Sequence, residues 1–186
     1  MSANGQEQRL DFNVFNDDDI VGLVTATKKV DGDRIHYDVR SDVTLSMLLK
    51  FNVSYTVSAI YEHHIMQKSD ATIYVNGSVK HHVVAEYSGG KYHIVVDGKE
   101  QTAVGQIIAS SASLYFQKPD DVQHVFSETS GVLKPIKQVG VNLFQLLDPD
   151  QSSNLNTYTY AGPDALEKII VERFLLPTLA LVRLGK

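Results

Sequence analysis

Apolar and polar residues alternate with period two over most of this chain, the pattern of strands that have one buried and one wet face. It is clearest from Phe51 to Val96. Within that stretch Val75-Asn76-Gly77-Ser78 and Ser88-Gly89-Gly90-Lys91 are two-residue hairpin connections, because Asn-Gly and Gly-Gly accept the positive φ of type I′ turns. The first turn predicts Val75 opposite Ser78, Thr72 opposite His81 and Asp70 opposite Val83. The second predicts Tyr87 opposite Tyr92 and Ala85 opposite Ile94. A further hairpin from Tyr61 to Met66, tipped by His63-His64, sets Val57 opposite Asp70.

These registers put Val53, Tyr55, Val57, Tyr74, Val83 and Tyr87 on one face and leave Asn52, Ser54, Thr56 and Ser58 on the other. The apolar face then encloses a polar island of Lys68, Asp70, Thr72 and His81.

The flanking sequence continues the pattern. Leu10, Phe12 and Val14 alternate towards the acidic run Asp17-Asp18-Asp19, and Asp31-Gly32 closes a hairpin that sets Val24 against Val39 and Ala26 against Tyr37. Odd-numbered apolar residues then run from Ile35 to Tyr61, which as one strand would measure about 90 Å at about 3.3 Å per residue. The chain must therefore turn back at Arg40–Asp42 or Leu48–Lys50; a short helix over Asp42–Lys50 is the alternative. Asp97-Gly98 is another tight turn. Thr102–Ile108 reads as a strand interrupted by Gly105, Ser110–Ser113 as a close-packed strand edge, and Val122–Glu128, Gly131–Ile136, Leu143–Leu147, Asn156–Tyr160 and Thr178–Leu184 as strands. Residues 163–176 carry both a helix start at Pro163-Asp164 and strand-like Ile169–Val171.

The fold class is therefore all-β: an antiparallel meander forming a β-barrel or strongly curved half-barrel, with residues 9–186 as one domain and residues 1–8 as a disordered linker of the kind that follows a removed signal peptide. Composition narrows the function. The net charge of -5, without a basic run, argues against nucleic acid or an anionic membrane surface as partner. With no Cys there is no thiol nucleophile, Cys-ligated zinc or disulfide framework, and no apolar stretch is long enough for a transmembrane helix.

Several short pieces resemble an uncharacterised secreted or periplasmic β-rich family of the Bacteroidota, a domain of unknown function. They are Phe12-x-Val14 with Ile20-Val21-Gly22, the Tyr61–Met66 hairpin, Val75-Asn76-Gly77, Ser113-Leu114-Tyr115-Phe116-x-x-Pro119, Val125-Phe126-Ser127-Glu128 with Gly131, Tyr158-x-Tyr160 and Leu181-Val182-Arg183. The resemblance implies export to the periplasm or beyond and a barrel or half-barrel. It marks Glu128 as a polar candidate, and it favours strand for Leu166–Phe174. His63-His64 stands where the family pattern has Asn-Gly.

Seven histidines invite a metal site, but the registers scatter them: His63 and His64 at a tip, His81 and His82 about 20 Å down the strand, His36 and His93 on other hairpins. No cofactor or metal is expected. The candidate ligand-binding residues are the polar groups Lys68, Asp70, Thr72, His81 and Glu128 with the walls Tyr55, Tyr74, Val83 and Tyr87. Together they suit a hydrophobic or amphipathic small molecule, a lipid among the candidates. The rivals are a filled barrel acting as a structural or interaction module, and a hydrolase or isomerase with His81 as base oriented by Asp70.

Overall fold

The computed structural model describes residues 6–46, 49–151, 153–173 and 176–185. Its strands are β1 (Gln6–Asn16), β2 (Asp19–Asp31), β3 (Arg34–Ser46), β4 (Lys50–Glu62), β5 (Ile65–Val75), β6 (Ser78–Ser88) and β7 (Lys91–Val96). They continue with β8 (Lys99–Val104), β9 (His124–Ser127), β10 (Val132–Gly140), β11 (Leu143–Leu147), β12 (Leu155–Tyr160), β13 (Leu166–Glu172) and β14 (Leu179–Arg183). All fourteen form one curved, unclosed antiparallel sheet in the order β8-β7-β6-β5-β4-β3-β2-β1-β14-β13-β12-β11-β10-β9. Two meanders thus radiate from a central β1–β14 pairing, with Phe12 opposite Arg183 and Val14 opposite Leu181. No helix among the described residues is long and apolar enough to cross a membrane.

Gln6 to Gln8, expected in a linker, are the first residues of β1 and pair with Lys28 to Val30; residues 1–5 lie outside the described residues. The chain reverses between Ser46 and Lys50, with Leu45 opposite Phe51, in place of a helix over 42–50. Leu48 and Phe174 are outside the described residues. Residues 166–172 are strand, as a ladder to β12 and β14 outweighs the local helix signal. Of the segment Ser110–Ser113, expected as a close-packed strand edge, only the buried Ser110 pairs as strand, in a single parallel bridge to Phe126. The segment then turns into a single 3-10 turn, Ser113–Tyr115, with Leu114, Tyr115 and Phe116 buried.

Three registers differ from expectation. The β2–β3 turn centres on Gly32-Asp33, so Ala26 faces Val39 and Val24 faces Ser41. Gly32 has φ 59° and Asp33 is not left-handed, the type II′ pattern that wants Gly first. In β5 the ladder slips between Tyr61–Met66 and Ile60–Lys68, making Gln67 a bulge. In β6 it slips between Tyr74–Val79 and Ile73–His81, making Lys80 another. One inserted residue reverses which side chains face inward. Consequently Val57 faces Ala71 rather than Asp70, Thr72 faces His82 rather than His81, and Asp70 faces Val84 rather than Val83.

The link from β8 to β9 crosses the hollow of the sheet. Tyr92 Oη donates to the Met66 carbonyl (2.7 Å) and accepts from the Ile107 amide (3.2 Å), while the Met66 amide donates to the Ile107 carbonyl (2.9 Å). Beyond this junction Tyr115 stacks edge-on against Phe12 at 5.4 Å, Phe116 lies 5.8 Å from Tyr37, and Tyr160 Oη donates to the Leu114 carbonyl. The same segment covers the β9 edge, since Phe126 donates to the Ala109 carbonyl and Ser111 donates to the Phe126 carbonyl, both at 2.9 Å. Gly131 packs the β9–β10 turn inside β6 and β7, where a Cβ would sit 2.8 Å from Val96 Cγ2. This packing fills the end of the hollow beside the β4–β5 and β12–β13 turns. The opposite end, beside the β3–β4 reversal and the end of β13, stays open.

His63 and His64 form a two-residue turn with φ of 49° and 66°, a backbone that costs an L-residue roughly 1–2 kcal/mol. His64→Gly should therefore raise the unfolding free energy by about 1 kcal/mol in urea denaturation without changing the slope. A destabilised variant would show that the imidazole contributes more than the turn geometry costs.

Candidate functional site

The open end leads into a cavity of about 380 Å³. Its walls on β1 to β5 are mostly apolar: Val14, Val24, Val39, Val43, Val53, Val57 and Ile73, with Leu45 and Phe51 at the mouth and Ser41 and the Tyr55 hydroxyl as the polar exceptions. These are inward positions of strands whose alternation was plain in sequence. The wall from β10 to β13 is different. Lys134, Leu146, Asn156, Tyr158, Ile169, Val171 and Arg173 face the same space, so inward positions nearest the mouth are polar.

Lys134 Nζ lies 2.9 Å from Asp148 Oδ2, with both side chains mostly buried. Burial raises the Asp148 carboxyl, but the Lys134 ammonium and the Asp150 and Gln151 amides outweigh it and leave it below the ordinary carboxylate value. Arg173 Nη1 donates to Asn156 Oδ1 (2.8 Å) and to the Glu172 carbonyl (2.7 Å). Burial lowers its guanidinium from the ordinary value, opposed chiefly by Tyr158 and Asp148. An arginine nevertheless keeps its charge in a protein.

At the inner end of the cavity Glu128 is 1% exposed. Its Oε1 accepts the Ala112 amide at 3.1 Å, whereas Oε2 has no hydrogen bond among the described residues. Burial pushes its carboxyl up, and the Ser110 hydroxyl and nearby amides only partly counter that. Tyr55 and Tyr115 meet hydroxyl to hydroxyl at 3.4 Å. Burial raises both phenols, and Tyr158 is pushed up to about 12. They stay neutral and offer O–H groups along an apolar wall.

Of the residues singled out in sequence, Tyr55 and Glu128 line this cavity. Val83 is fully buried but covered by Gly131, and Tyr87 packs on Tyr92 with ring centroids 4.8 Å apart. The polar island does not exist as an interior cluster. The β5 bulge turns Ser69, Ala71 and Ile73 inward and sends Lys68, Asp70, Thr72 and Tyr74 to the outer face. There Asp70 Oδ1 lies 3.2 Å from His82 Nε2. His81 keeps an inward position at the strand end, with Nδ1 2.5 Å from Asp97 Oδ2. Arg173, Lys134, Asn156 and Tyr158 were missed. The available signal was a charge at the last inward position of an alternating strand, two residues from Val171 and from Ile136.

A family described as a domain of unknown function, DUF6134, matches residues 12–179. The chain belongs to this family. None of the curated proteins matches it. Among solved structures it is similar to a crystal structure described as a beta-barrel-like protein of domain of unknown function DUF1849 from Brucella abortus. That similarity covers 95% of both chains at 9% sequence identity, with a TM-score of 0.61, and shows a shared fold. The expectation of an uncharacterised β-rich family of barrel-like fold is met at that level.

The raised Glu128 carboxyl has a consequence for stability. Its folded value lies above the ordinary 4.5, so the folded state holds its proton longer than the unfolded chain. Stability then falls as pH rises from about 4.5 through the folded value, and the loss persists above it. Glu128→Gln should melt higher than the wild type at pH 8 and coincide with it at pH 4, as followed by circular dichroism. Equal melting temperatures at pH 8 would contradict a desolvated carboxyl here.

Proposed function

We propose that this protein binds one hydrophobic or amphipathic small molecule, a lipid among the candidates, inside its curved sheet and performs no chemistry on it. The observation that carries this reading is the cavity of about 380 Å³, apolar on most of its wall and open at one end. Small-ligand sites range from about 300 to 1,000 Å³ and are mainly apolar with a few placed polar groups. An enclosed void of this size would forfeit roughly 9 kcal/mol at about 24 cal/mol per Å³, the order of a whole domain's stability. Solvent entering the mouth lowers that figure, and an apolar ligand would remove most of the remainder.

The rival readings have less behind them. A filled barrel accounts for the crossing segment but not for the space it leaves beside β1–β5. The proposed His81–Asp70 pair is replaced by His81–Asp97 and Asp70–His82, with Asp70 and His81 on opposite faces. No cluster of three metal-binding side chains occurs among the described residues.

The neutral fluorophore N-phenyl-1-naphthylamine should bind the wild type one to one. Val43→Trp, which fills the mouth side of the apolar wall, should weaken it at least about tenfold, a loss of roughly 1.4 kcal/mol, while leaving the circular dichroism spectrum unchanged. Absence of binding by the wild type, or equal binding by the folded variant, would overturn the interior site.

A further inference from the structure

We propose that the ligand is an amphiphile with an apolar tail and a single anionic head group, and that Arg173 receives the head group at the mouth. This rests on the interior-binding reading and adds the class of molecule to it.

The charge pattern of the wall points to it. Asp148 lies 2.9 Å from Lys134 and lines a small side pocket together with Arg173, so two cations share one carboxylate and the β10–β13 rim keeps one positive charge in excess. Its Nη1 is committed to neutral acceptors, the Asn156 side chain and the Glu172 carbonyl, and it forms no ion pair among the described residues. A guanidinium presents five N–H groups in a planar fork. Held by Asn156 and by the Leu155 and Glu172 carbonyls, the guanidinium lines the cavity without a direct ion pair among the described residues. A half-buried charge whose neighbouring carboxylate is already paired with a lysine is incompletely compensated, and a carboxylate or phosphate monoester can meet it through charge-assisted bonds.

Position fixes the orientation. Arg173 immediately follows β13 at the open end, and the valines of β2–β4 lie further in and across from it. A head group at Arg173 remains near water while its tail reaches that apolar wall. Leu176, 46% exposed and also lining the cavity, stands beside the entry. The deep polar group, Glu128, has its Oε1 held by the Ala112 amide and forms no ion pair with Arg173 among the described residues.

The test measures displacement of N-phenyl-1-naphthylamine by dodecanoate, dodecyl phosphate, 1-dodecanol, dodecyltrimethylammonium and inorganic phosphate. The two alkyl anions should bind about tenfold or more tightly than dodecanol, as expected for hydrogen bonds to a charged group. The cation should bind weakest, and inorganic phosphate alone should not displace the probe. Arg173→Gln should reduce the anions to the level of dodecanol while retaining the fluorophore; Arg173→Lys should keep a preference for anions.

A wild type that takes dodecanol as tightly as dodecanoate, or a folded R173Q that keeps the anion preference, would overturn the proposal with the interior site still standing. A wild type that does not bind the neutral fluorophore overturns the interior site itself. Independently of variant folding, dodecanoate but not dodecanol should shift the side-chain Nε–H signal of Arg173 in ¹⁵N-labelled protein. An unmoved signal at saturating dodecanoate rejects Arg173 as the receiving residue.

Discussion

At the closed end of the hollow, Tyr92 Oη sits between the Met66 carbonyl and the Ile107 amide, and the Met66 amide returns a bond to Ile107. Tyr92 and Met66 are fully buried, so these bonds form where unpaired groups would be expensive. They pin the point at which the chain leaves β8 and enters the interior. From there Leu114, Tyr115 and Phe116 can reach Phe12 and Tyr37, and the β9 edge gains partners at residues 109 and 111. A curved sheet with two free edges and an apolar hollow would otherwise expose both. One inward crossing covers an edge and fills one end of the hollow.

The unfilled half has two unlike walls because its two arms differ in origin. The β1–β5 arm consists of long strands, and its inward positions near the mouth are mostly Val, Leu and Phe. The β10–β13 arm has shorter strands, and Lys134 and Asn156 near the starts of β10 and β12, with Arg173 just past the end of β13, line the cavity from it. The β1–β14 pairing brings these walls face to face. Neither wall alone is a site; their apposition yields an apolar pocket with a cationic corner. Glu128, on the turn that follows β9, closes the inner side at the expense of a desolvated carboxyl. Such a cost is more often found where a polar group has a task than where packing alone decides.

Much of the strand content was legible in the chain. The Asn76-Gly77 and Gly89-Gly90 turns, the pairing of Tyr87 with Tyr92, and the burial of Phe12, Val39 and Val57 follow from period-two alternation and positive-φ turn chemistry. These are local effects, readable within a few residues. The bulges at Gln67 and Lys80 were not legible, because a bulge is decided by which alternative register buries more apolar surface across neighbouring strands. Missing them put Lys68, Asp70 and Thr72 inside, when Ser69, Ala71 and Ile73 belong there.

The sequence by itself determined an antiparallel β protein, most of its strands, and the apolar character of the β1–β5 wall, since each depends on the order of neighbouring side chains. Tertiary structure alone decided that β1 pairs with β14, that the chain from residue 107 to 116 packs inside the hollow, and that Arg173 and Glu128 open onto one cavity. Those contacts join residues dozens to more than a hundred and fifty positions apart. Their energies come from burying whole faces against each other, and no local pattern of polar and apolar residues encodes which faces will meet.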